Sequence, residues 1–247
     1  MIKKLCLIYC LAFLWLSGCT KKETQNMDIK GDLTGKVKTF LEYGLAVNDY
    51  ANIAVTLTGS DIPMVYTDTA GNYTLKNIPL GNYSLSFSKE GYGTYLISNF
   101  LFIGKDTPQN TSLNLWHKSS TRITGYNLSF SRQYLHFSGT ITHVFPKSVM
   151  NVYPYDWPGM SIYLSDSANV SPTNYEQILS FNSNQNISTN FTDSVYIYNS
   201  LYHSGSKIYA IIYGHNALGF QLYDYEKGIY YDPCIGEPSE VKSIIVH

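Results

Sequence analysis

The stretch Asn151-Val152-Tyr153-Pro154-Tyr155-Asp156-Trp157-Pro158-Gly159 places three aromatic rings in nine residues and stiffens them with two prolines. Proline restricts φ, so ordering such a segment around a ligand costs little entropy. Rigid rings suit sugars, whose apolar C–H faces stack on π surfaces while neighbouring amides and carboxylates take the hydroxyls. On that use Tyr153, Tyr155 and Trp157 carry the stacking, and Asp156 or Asn151 carries the hydrogen bonds. The same composition also fits a loop folded back over a β core. Spacing alone does not separate the two.

Other chemistries leave weaker marks. The chain contains no His-Glu-x-x-His, no Gly-x-Ser-x-Gly elbow and no Walker loop. Its six histidines, His117, His136, His143, His203 and His215 among them, never fall at the spacing of a local zinc motif. Glu42, Glu90, Glu176, Glu226, Glu237 and Glu240 sit in no motif either, and paired carboxylates across a cleft are a geometry that spacing does not reveal. No catalytic residue, metal ligand or cofactor is expected. The alternative is a hydrolase whose site is assembled from distant acids or histidines. Asp68 is read as a turn cap. Three tripeptides beginning at Asp68, Asp166 and Asp193 resemble the Asp-Ser/Thr-small acceptor of an O-glycosylation system of some Gram-negative envelopes.

The N-terminus speaks to compartment. Lys3 and Lys4 precede a twelve-residue apolar run, Leu5 to Leu16. A run of that length is too short to span a hydrocarbon core of about 30 Å, which favours a signal peptide over residues 1–18. It ends in Leu16-Ser17-Gly18-Cys19, which resembles the lipobox of bacterial lipoproteins. The resemblance implies lipidation of Cys19 and attachment to the membrane through that lipid. Thr20 stands where an aspartate is associated with inner-membrane retention, so the outer membrane is the expected destination, on either of its faces. Residues 19–30 read as a polar tether. Beyond residue 19 the only cysteine is Cys234, so no disulfide within one mature chain is expected. Removing residues 1–18 takes two of 17 basic residues and none of 18 acids, leaving a net charge of −3. That balance gives no electrostatic footprint for nucleic acid.

The elements that would position any site are strands. Twenty-three tyrosines with few charges favour sheet over helix. Ile53, Val55 and Leu57 alternate with Ala54, Thr56 and Thr58, and Tyr83, Leu85 and Phe87 alternate with serines. Gly71 and Gly81 fall between strands and not before a helix, so they are turn residues and not a phosphate cradle. A second run follows from Ser119, marked by Leu135-x-Phe137, Met160-x-Ile162-x-Leu164, Val195-x-Ile197, Ile208-x-Ala210-x-Ile212, Phe220-x-Leu222 and Val241-x-x-Ile244. Tyr196 and Tyr198, Tyr209 and Tyr213, and Tyr223 and Tyr225 lie opposite aliphatic rows, as an exposed platform or as cross-strand pairs. Thr173 to Leu179 is the one segment with a helical option.

Gly35-x-Val37, Val55-x-Leu57-x-Gly59, Thr67-Asp68-x-x-Gly71-x-Tyr73-x-Leu75, Ile78-Pro79-x-Gly81-x-Tyr83-x-Leu85 and Gly91-Tyr92 together resemble carboxypeptidase regulatory-like domains. The resemblance covers about residues 31–118 and implies a transthyretin-like β-sandwich without catalytic activity. It departs from the family at Phe40 to Asn52, read as a loop insertion. Gly205-x-x-Ile208-Tyr209-Ala210-x-Ile212-Tyr213 resembles the penultimate strand of a fibronectin type III domain, implying a second sandwich over 119–247. The expectation is therefore an all-β protein of two tandem sandwiches. Its expected role is a non-catalytic envelope lipoprotein for binding or adhesion, with a glycan or envelope protein as partner, or a structural spacer without a ligand.

Overall fold

In the computed structural model, residues 29–104, 109–142, 159–182, 189–197, 202–216 and 221–247 are described. They are all-β, with eighteen strands and no helix among them. The first nine strands are β1 (Lys30–Phe40), β2 (Ala46–Val47), β3 (Ala54–Thr58), β4 (Val65–Tyr66), β5 (Asn72–Pro79), β6 (Gly81–Ser88), β7 (Tyr95–Phe102), β8 (Gln109–Asn110) and β9 (Leu113–Trp116). They form two sheets. One has the order β2-β1-β5, with β8 and β9 pairing parallel to β1, and the other has the order β4-β3-β6-β7.

Alternation decides what these sheets bury. Leu33 and Val37 of β1 and Tyr73 and Leu75 of β5 meet Val55 and Leu57 of β3 and Leu85 and Phe87 of β6, all in one core. Each such side chain, fully buried, contributes about 1.5–3 kcal/mol relative to exposure. Gly71, at φ 83°, turns the chain where a Cβ would come within 2.2 Å of the Val37 carbonyl oxygen. Asp68 caps that turn, its carboxylate accepting from the amides of Ala70 (2.9 Å) and Asn72 (2.8 Å). The Pro79-Leu80-Gly81 step hands the chain from one sheet to the other, because β5 pairs with β1 while β6 pairs with β3.

Two local readings are corrected. The segment after Phe40 is not simply a loop, since β2 returns to pair with β1 at Thr39↔Val47 and Phe40↔Ala46, closed by Gly44 at φ 92°. Thr173 to Leu179 is not helical. Ser171 and Asn174 close a tight turn by mutual backbone bonds, and Gln177 already belongs to a strand.

The remaining strands are β10 (Arg122–Ser131), β11 (Tyr134–Thr142), β12 (Gly159–Ser165), β13 (Gln177–Asn182), β14 (Thr189–Tyr196), β15 (Lys207–His215), β16 (Leu222–Asp224), β17 (Ile229–Tyr231) and β18 (Lys242–Ile245). Sheet β10-β11-β14 and sheet β13-β12-β15-β18 bury a second core, with Leu135, Phe137 and Ile141 on one side and Ile162, Leu164, Ile208 and Ile212 among those on the other. Every residue of β12 is buried. Its outward Tyr163 packs with Ile211 and Val170 in a third, smaller cluster, edge-on to Tyr175 and Tyr213.

Candidate functional site

The hairpin β16–β17 is the place where exposed aromatic chemistry and a concave surface come together. Leu222 pairs with Tyr231, Tyr223 with Tyr230 and Asp224 with Ile229, so alternation gives the hairpin two different faces. The turn between the strands is set by Asp224. Its carboxylate accepts from the amides of Glu226 (3.0 Å) and Lys227 (3.2 Å) and lies 3.5 Å from the Lys227 ammonium, and Gly228 at φ 67° completes the reversal.

One face and the turn carry tyrosines. Tyr223, Tyr225 and Tyr230 are 37%, 65% and 53% exposed, which is far from what a core ring shows. Tyr223 meets Tyr225 edge-on and Tyr230 at a tilt, each at 4.9 Å between centroids, so the three rings support one another. The backbone beneath them is held from both sides. The Tyr225 amide donates to Ser98 Oγ at 3.1 Å, the Ser84 hydroxyl donates to the Glu226 carboxylate, and the Leu96 amide donates to Tyr231 Oη at 2.9 Å. From the other side, Tyr175 Oη donates to the Tyr230 carbonyl at 2.7 Å. Rings held on a fixed backbone give contact area with little ordering cost.

The segment after the hairpin is driven into the first core. Cys234 is fully buried there beside Tyr95, whose hydroxyl lies 3.4 Å from its Sγ. Burial pushes the thiol up to about 12, so it stays protonated and acts as a small apolar plug. Gly93 admits it: a Cβ there would come within 2.3 Å of the Pro233 carbonyl oxygen and 2.7 Å of Cys234 Sγ. Asp232 is buried next to it, with one oxygen accepting from the Cys234 amide at 2.8 Å. Desolvation raises its carboxyl above the usual range, opposed by that hydrogen bond and by His215. Glu42, which accepts from the Ser120 amide, is raised for the same reason of burial.

The other face of the hairpin lines a cleft of about 440 Å³ between the two cores. Leu96 and Lys118 approach it from the first, Pro172 and Thr173 from the second, and Asp224, Ile229, Tyr231 and Asp232 from the hairpin and the segment after it. Among the described residues no group of three or more His, Cys, Asp or Glu side chains could hold a metal ion. No helix among them is long and apolar enough to cross a membrane.

Of the residues singled out by sequence, Tyr153, Tyr155, Asp156 and Trp157 lie outside the described residues, as does Cys19. The tyrosine stripe is divided by the fold. Tyr196 forms an edge-on cross-strand pair with Tyr134 at 5.5 Å, and Tyr209 and Tyr213 are half-buried against the third cluster. Tyr198 lies outside the described residues, and among the described members of the stripe only Tyr223 and Tyr225 join a platform. Tyr230 is not visible in the sequence as their partner, because a three-residue strand carries too few alternations to register; the signal present is the Lys227-Gly228 pair, three and four residues beyond Asp224.

No family model matches the chain, and no curated protein matches it. Among solved structures it is similar to a DUF3823 family protein from Bacteroides ovatus, at 16% identity and TM-score 0.36, covering 88% of this chain and 100% of that one. A DUF3823 family protein from Parabacteroides merdae gives 14% identity and TM-score 0.35, over 89% and 99% of the two chains. A candidate carbohydrate binding protein from Bacteroides uniformis gives 10% identity and TM-score 0.35, over 88% and 100%. At these scores the likeness assigns neither family nor activity to this chain.

Proposed function

We propose that the chain is a non-catalytic cell-envelope lipoprotein that binds a glycan through the tyrosine face of its β16–β17 hairpin. In this reading residues 1–18 are a signal peptide, Cys19 carries the lipid, and residues 19–30 are a tether. The first sandwich, 31–118, is a carboxypeptidase regulatory-like module, and the second, 119–247, is a fibronectin type III-like one. The observation that carries the reading is the trio Tyr223, Tyr225 and Tyr230, exposed together on a hairpin held by hydrogen bonds to Ser98 on one side and from Tyr175 on the other. Stacking on sugar C–H faces is the chemistry such a surface offers.

The test is a glycan array on wild type and on the double variant Tyr225→Ala, Tyr230→Ala. Binding of the recognised glycan should weaken by about 1–3 kcal/mol, the range in which truncating an interface anchor matters. The melting temperature should hardly move, since neither ring fills a core. Undiminished glycan binding by the double variant would refute the site.

The anchor is tested separately. Fatty-acid labelling in a bacterial host should tag the wild type, and Cys19→Ala should lose the tag. A labelled Cys19→Ala chain would remove the lipoprotein assignment and leave the tyrosine face untouched.

A further inference from the structure

The geometry points to a second binding site: the cleft between the two cores takes a single carboxylate-bearing sugar ring, a hexuronate. The site lies on the opposite face of the hairpin from Tyr223 and Tyr230, since Asp224, Ile229 and Tyr231 line it and those two tyrosines do not. It therefore stands whether or not the tyrosine face binds.

Size comes first. About 440 Å³ falls within the roughly 300–1,000 Å³ of small-ligand sites, and a junction between packed units is where such sites occur. Leu96, Ile229 and Ile235 supply apolar wall for the C–H face of a ring, and Tyr231 supplies an aromatic edge.

Charge then selects among rings of that size. Lys118 and Lys227 both line the cleft and both are exposed, Lys118 from the segment after β9 and Lys227 from the hairpin turn. The two acids there are already committed. Asp224 accepts from two backbone amides and faces Lys227, and Asp232 accepts from the Cys234 amide. The cleft thus offers a carboxylate the Lys118 ammonium, joined by the Lys227 ammonium that Asp224 already faces, with Thr94 and Thr173 on the same lining for ring hydroxyls.

Calorimetric titration of the full chain with digalacturonate tests the assignment, with the neutral galactose disaccharide as control. Wild type should bind digalacturonate at least tenfold more tightly than the neutral sugar, and added salt should narrow that gap. Lys118→Ala with Lys227→Ala should lose tenfold or more, whereas Lys118→Arg with Lys227→Arg should retain binding. The proposal is overturned by any of three results: no binding of digalacturonate to wild type, equal binding of the neutral sugar, or full binding by the alanine pair with an unchanged melting temperature. Because Lys227 faces Asp224, Lys118→Glu alone provides a variant that leaves the hairpin turn intact, and it too should abolish binding.

Discussion

Gly93→Val is expected to expose the Cys234 thiol and lower the melting temperature by about 2–12 °C. The reason is distance. Even a Cβ at Gly93 would lie within 2.3 Å of the Pro233 carbonyl and 2.7 Å of Cys234 Sγ, so the segment after the hairpin has to lift off the first core. Overpacking of this kind costs about 1–3 kcal/mol, and each kcal/mol moves the midpoint of a chain this size by about 2–4 °C. The Ser119 amide bond to the Cys234 carbonyl (2.8 Å) and the Tyr95 contact go with it. Cys234 is the only thiol after Cys19, which makes the readout clean. In a chain lacking residues 1–19, a thiol reagent should react slowly with the wild type and readily with Gly93→Val. Equal reaction rates and equal melting would show that this contact does not hold the hairpin down. Gly93→Ala should fall between them, since its added atom is the first to collide.

How much of this was legible in the sequence depends on range. The alternation of Tyr83, Leu85 and Phe87 announced β6, and all three side chains are buried as read. Asp68 and Gly71 announced a turn because a carboxylate two residues from an amide, and a glycine free to take positive φ, act within five residues. Cys234 could not be placed in the same way. Its partner Tyr95 is 139 residues away, and no local period encodes a contact at that separation. The short strand β17 failed for a related reason: Ile229-Tyr230-Tyr231 reads as aromatic composition until pairing with β16 gives each ring a face. The second core carries a third case. The ten-residue strand β10 carries no alternating row that marks it in the sequence, because Gly125 interrupts the alternation and the register shifts there.

That shift sets up the last expected result, in which Tyr126→Phe costs about 1–3 kcal/mol and Tyr126→Ala about 3–5 kcal/mol. Thr124 pairs with Thr140 and Asn127 with Ser138, so Gly125 and Tyr126 together oppose the single residue Gly139. The extra residue is a bulge, and Gly125 takes the positive φ of 58° that this geometry favours in glycine. The consequence is to turn Tyr126 into the core, 1% exposed, where a Cβ on Gly139 would meet its Cβ at 2.9 Å. Its hydroxyl reaches across to the carbonyls of Ala210 (2.9 Å) and Glu240 (2.7 Å). Lys242 closes the arrangement, with its ammonium 5.0 Å from the ring centroid and bonded to the Tyr126 carbonyl. Burial holds the phenol up at about 12, so the hydroxyl keeps its proton and remains a donor across the physiological range. Phenylalanine keeps the ring and deletes that donor, which isolates the cost of losing the one hydroxyl proton that the Ala210 and Glu240 carbonyls share. Alanine also deletes the ring, leaves a cavity and takes the surface from under Lys242. Denaturant melts of the two variants then separate the hydroxyl from the ring. A Phe variant as stable as wild type would mean that Tyr126 is held by packing alone, with the link from β10 to Glu240 contributing nothing.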